Sequence, residues 1–94
     1  MRHKYSDKPV QFFYIQRNAD NHLLHGITVS DSKFLTSFPV WKPPRSFDWA
    51  RRFSSVDNAI KCATDNRITD VSVIDRAGRV LCVIGVNGEV RKGA

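Results

Sequence analysis

Apolar and polar residues alternate in short runs along most of this chain, and only one stretch repeats at helical spacing. From Val10 the pattern is that of a strand: Val10, Phe12 and Tyr14 point one way, Phe13 and Ile15 the other. Both faces are apolar, as in a strand covered on two sides. Arg17-Asn18-Ala19-Asp20-Asn21 is rich in residues that favour turns. Leu23 to Ser30 reads as a second strand, with Leu23, His25, Ile27 and Val29 on one face and Leu24, Gly26 and Thr28 on the other. The two make an antiparallel hairpin.

The second half is patterned more sharply. Ser54-Ser55-Val56-Asp57 is a helix start in which Ser54 is placed to cap and Asp57 to favour the positive end of the dipole. Val56, Ala59, Ile60 and Ala63 then recur at i, i+3, i+4 and i+7, predicting a helix from Ser55 to Asn66, with Asn66 as a left-handed stop. Val71 to Ile74 and Val80 to Val86 read as strands joined by Asp75-Arg76-Ala77-Gly78, a type I turn with a glycine bulge. Asn87-Gly88 asks for another tight turn before a short edge strand, Glu89 to Arg91.

Between the halves the periodicity fails. Residues 31–48 read as an irregular connection rich in aromatic residues and proline, and Trp49 to Phe53 reads as a third strand leading into the helix. The expected class is α+β: a mainly antiparallel sheet of four to five strands with one principal helix on one face, in the order β-β-(β)-α-β-β. The predicted core comprises Phe12, Tyr14, Ile27, Val56, Ile60, Val71, Val73, Val80, Cys82 and Ile84. One short helix covers only part of one sheet face. The second face needs cover from the aromatic segment folding back, or from another chain.

Length adds that residues 1–94 form a single domain, with 1–8 and 92–94 as flexible termini. No apolar run approaches a membrane span, and MRHKYSDKPV lacks the apolar stretch of a secretory signal, so the expected location is cytoplasmic. Cys62 and Cys82 form neither a disulfide framework nor a CxxC motif, and read as buried thiols acting as small apolar residues.

Charge concentrates attention on one segment. The net charge is +6, and the first 53 residues hold nine of the fifteen Lys/Arg but four of the nine Asp/Glu. Within residues 33–53 lie six of the ten aromatic residues, three of the four prolines and five Lys/Arg, against the single acid Asp48. Such a long connection inside a small domain is often functional. Phosphates attract Lys and Arg, and unstacked bases attract aromatic faces. Trp, Phe and Arg are also the residues enriched at protein interfaces. Candidate partner-binding residues are therefore Lys33, Phe38, Trp41, Lys42, Arg45, Phe47, Arg51 and Arg52. A structural role in the core competes with binding for each single ring.

Other chemistries find little support. His22 and His25 are three apart on a strand and point to opposite faces, which separates them as metal ligands. No GxSxG elbow and no phosphate-binding glycine loop is present. The lone Glu89 and the turn-placed aspartates suggest no shielded acid–base pair. No helix-turn-helix, RNP1-like run or zinc finger appears either. The run Ala50-Arg51-Arg52-Phe53-Ser54-Ser55, with the helix and the Val-x-Val-Ile-Asp-x-x-Gly hairpin after it, resembles the general texture of small bacterial, phage and plasmid proteins and implies no functional residue. The expectation is a small basic non-catalytic binding or regulatory protein, with no cofactor, metal, membrane or small-molecule substrate indicated. It would contact an acidic protein surface or self-associate as a homodimer, with nucleic-acid binding through residues 33–53 as the alternative.

Overall fold

A computed structural model describes residues 11–29 and 37–92. The elements run β1 (Phe13–Arg17), β2 (Leu23–Val29), β3 (Ser37–Lys42), α1 (Val56–Asp65), β4 (Val71–Asp75), β5 (Val80–Ile84) and β6 (Val90–Lys92). The class is α+β, and the six strands form one antiparallel sheet in the order β3-β2-β1-β4-β5-β6. The count exceeds the four to five expected because the short edge strand β6 adds a third strand after α1, and the third strand before α1 is β3, inside 31–48, which the pattern left irregular. Pro39 concealed it. Proline cannot donate to a ladder and is tolerated on edge strands, and β3 is an edge of this sheet, paired with β2 alone.

Trp49 to Phe53 is not the strand expected. Trp49 N–H donates to Ser46 O and Ala50 N–H to Phe47 O, which are turn bonds. The following backbone then enters the sheet. β1 and β2 pair in register only at Gln16↔Leu23. Past that point Arg51 N–H donates to Leu24 O, and Phe13 and Phe53 exchange both backbone bonds at 2.9 Å. Residues 51–53 therefore lie along both strands of the first hairpin.

Two bulges reset the faces. Between Leu24 and Gly26 one residue of β2, His25, has no partner on β3. The extra residue carries Leu24 and Ile27 to the same side, whereas strict alternation would separate them. Between Cys82 and Val80 the ladder to β4 skips Leu81. Val80 therefore pairs with Ile74 instead of continuing the Cys82 face, and it is 47% exposed, correcting its place in the predicted core.

The buried residues form two clusters. On one side Ile15, Leu24, Val71, Val73, Cys82 and Ile84 gather with Ala59 and Ala63 of α1 and with Phe53. On the other, Tyr14, Leu23 and Ile74 gather with Ala50, and Phe12 and Phe47 pack against them. The second cluster supplies the cover that a single helix cannot, and it comes from the aromatic segment of the same chain.

The N-cap of α1 and the left-handed residue that closes it each sit one residue later than expected. Ser55, with φ −149° and ψ 160°, is the N-cap and its Oγ accepts from Asn58 N–H. Asn58 reaches back through Nδ2 to Ser54 Oγ at 3.0 Å, so Ser54 supports the cap without being it. At the other end Asn66 has φ −104° and is not left-handed. Arg67 is, with φ 56°. Arg67 N–H donates to Thr64 O and Ile68 N–H to Ala63 O, a Schellman closure that seats Ile68 in the core. The two loops flanking β5 share one geometry. Gly78 N–H donates to Asp75 O and Gly88 N–H to Gly85 O, with φ near 90° at each later glycine.

Candidate functional site

The segment that follows β3 is built around a turn and an aromatic anchor. Ser46 N–H donates to Pro43 O at 3.2 Å, closing a turn with Pro44 and Arg45 at its centre. Arg45 has φ 66°. Proline followed by a positive φ is the type II arrangement, in which glycine normally fills the second central position. Two residues on, Phe47 meets Tyr14 edge-on with ring centroids 4.8 Å apart. The Arg76 guanidinium lies 5.6 Å from the Phe47 centroid on another side. Phe47 is thus held between the sheet and the β4–β5 turn.

Arg76 also reaches back to this segment, donating to Asp48 Oδ1 at 3.2 Å. The hydrogen bond to the Asp48 carboxylate pushes the Arg76 pKa up against the opposing effect of desolvation, with a smaller contribution from Tyr14. Trp49 is 67% exposed, and its carbonyl accepts from His25 Nδ1, which fixes the proton on that nitrogen. The bulge in β2 is what turns His25 toward this contact.

A cleft of about 520 Å³ opens on the Tyr14 side of the sheet. Arg45 and Phe47 line it from the segment after β3, Arg76 to Gly78 from the β4–β5 turn, and Gln16 and Asn21 from the first hairpin. A second groove of about 560 Å³ runs beside α1. There Arg51 stands over the Phe53 ring at 5.4 Å and Arg52 over the Phe12 ring at 4.9 Å, close to Lys61 and Cys62. Burial pushes the Cys62 thiol up despite the Arg51 charge, and burial raises Cys82 likewise.

The eight residues singled out from sequence are therefore not one patch. Lys33 lies outside the described residues. Arg45 and Phe47 share the cleft, and Lys42 pairs with Leu23, on the same side of the sheet. Phe38, at the β3 edge, is 46% exposed. Trp41 packs against the α1-side core with the Arg17 guanidinium 4.7 Å from its centroid. Arg51 and Arg52 line the other groove. Arg76, Gln16 and Asn21 were missed. Their turn and strand positions gave no local sign of the approach to Phe47.

Charge pairing divides the cations, and among the described residues Arg67 and Arg91 stand with the unpaired ones. Arg17, Lys61, Arg76, Arg79 and Lys92 each meet a carboxylate within 3.2 Å. Among the described residues, Lys42, Arg45, Arg51 and Arg52 form no ion pair. Among the described residues no helix is long and apolar enough to cross a membrane, and no three His, Cys, Asp or Glu side chains gather as metal ligands. The chain matches no protein-family model, no curated protein and no solved structure.

Proposed function

We propose that this chain is a non-catalytic binding or regulatory protein of the cytoplasm, and that the segment from Lys42 to Arg52 docks on an acidic protein surface. One observation supports the reading most. Among the described residues Lys42, Arg45, Arg51 and Arg52 of this segment form no ion pair, and Trp49, which lies between them in sequence, is 67% exposed. An anionic partner supplies the missing counter-charges, and Trp49 gives it an apolar anchor.

A nucleic acid is the second reading, because an exposed indole followed closely in sequence by Arg51 and Arg52 suits base stacking and phosphate contact alike. Trp49 emission reports both. Poly-L-glutamate at low ionic strength is expected to shift it and a random single-stranded oligonucleotide to act more weakly, with the double variant Arg51→Ala, Arg52→Ala reducing the response. Tighter oligonucleotide binding, with a salt slope flattened by the double variant, transfers the assignment to nucleic acid. Silence toward both polyanions at low salt removes the anionic-partner reading. A doubled mass in light scattering at micromolar concentration assigns the surface to self-association instead.

A further inference from the structure

The cleft between Arg45 and Arg76 has features that docking on a broad acidic surface does not require. Its volume of about 520 Å³ falls in the range of small-ligand sites. Two arginines line it from elements far apart in sequence, Arg45 from the turn after β3 and Arg76 from the β4–β5 turn. Gln16 and Asn21 line it from the first hairpin, and their side-chain amides have no hydrogen-bond partner among the described residues. Leu23, Ile74, Pro44 and Phe47 supply its apolar lining.

The backbone at Arg45 is the second, independent observation. The type II turn places this residue at φ 66°, where glycine is favoured and a long side chain is strained. Arg67 also has a positive φ, but it follows the C-terminus of α1, where a cation meets the negative end of the helix dipole. Arg45 has no helix end beside it. Arg45 stands, against backbone preference, at a cleft that Arg76 also lines. Strain of this kind concentrates at ligand clamps.

We propose that this cleft binds a small organic oxyanion, a phosphate or carboxylate carried on a flat apolar body. The anionic group sits between the Arg45 and Arg76 guanidiniums, which suit bidentate oxygen recognition. The apolar body lies against Pro44 and Phe47, and the amides of Gln16 and Asn21 orient it. Asp48, ion-paired to Arg76, competes with the ligand for that guanidinium. This site goes beyond the docking reading and needs no protein partner.

Phenyl phosphate is the probe, followed by isothermal titration at low ionic strength, with inorganic phosphate and benzyl alcohol as the two halves of the ligand. Phenyl phosphate is expected to bind about tenfold more tightly than inorganic phosphate, and benzyl alcohol not at all. Arg45→Gly should weaken phenyl phosphate about tenfold, the usual effect of losing a charge-assisted bond, while raising the melting temperature. Asp48→Asn should tighten binding by freeing Arg76. Benzoate in place of phenyl phosphate distinguishes a carboxylate site from a phosphate site. The proposal is overturned if Arg45→Gly, folded by its melting curve, binds phenyl phosphate as the parent does. It is also overturned if phenyl phosphate binds no better than inorganic phosphate, or if Arg51→Ala weakens binding as much as Arg45→Gly.

Discussion

The ring of Phe47 meets the ring of Tyr14 edge-on, with centroids 4.8 Å apart and planes inclined at 63°. Tyr14 is 1% exposed and Phe47 half-buried, so the pair fixes a surface segment to the core. Phe47→Ala removes the contact and uncovers Leu23 and Ile74. It is expected to destabilise the fold by about 2 kcal/mol, below the range for fully buried rings. Urea unfolding checks this, and a midpoint equal to that of the parent would show that the segment covers nothing of consequence.

Arg45→Gly is expected to stabilise the protein by about 1 kcal/mol, because glycine relieves the positive φ and Arg45 forms no ion pair among the described residues. A greater entropy in the unfolded chain offsets part of this gain. Thermal melting of the variant decides the sign, and a lowered melting temperature contradicts the turn geometry.

The two serines before α1 are separated by the same kind of measurement. Ser55→Ala deletes the side chain that accepts from Asn58 N–H and should cost about 1 kcal/mol. Ser54→Ala removes only the bond from Asn58 Nδ2 and should cost less than half as much. Equal losses would place the cap at neither serine alone.

Two carboxylates set the acid limb of stability. The Arg17 guanidinium, hydrogen-bonded to Asp20, brings that carboxyl down to about 2. Burial pushes Asp75 up, but bonds from the Arg79 backbone and guanidinium outweigh it and leave the group below its ordinary value. Folded pKa values below the unfolded 3.8 mean that the unfolded chain binds more protons as the pH falls through that window. Stability should therefore be full above about pH 4 and drop toward about pH 2, and Asp75→Asn should flatten the slope. A slope unchanged in that variant would remove Asp75 from the account.

The tryptophans should quench differently. Trp49 is 67% exposed, whereas Trp41 packs against the core beneath Arg17. Acrylamide is expected to reach Trp49 readily and Trp41 poorly, so Trp49→Phe should leave a poorly quenched emission. A Trp49→Phe protein quenched as readily as the parent would contradict this placement.

What the sequence disclosed followed period and turn chemistry. The Asp75–Gly78 hairpin, the α1 stripe and the two-sided burial of β1 were legible because neighbours in sequence determine them. The faces of β2 were not. The displacement at His25 depends on how β3 pairs, and nothing local to Leu24 or Gly26 marks it. Likewise Asn66 looked like the left-handed stop, yet its side chain bonds to Cys62 O while Arg67 makes the turn. Of the candidate site, the unpaired cations were visible in composition. The convergence of Arg45 with Arg76 was not, since it depends on a contact between two turns on separate elements.

The lodging of residues 51–53 against both β1 and β2 has a kinetic consequence. Leu24 O and both backbone groups of Phe13 wait for partners made almost thirty or more residues later. The first hairpin can therefore align only at its turn end when it forms. Completing it requires closure of a long loop that carries β3 and the Phe47 anchor with it. The stretch that begins α1 is thus also the one that locks the opening hairpin, so the two halves of this small protein should become ordered in a single cooperative step.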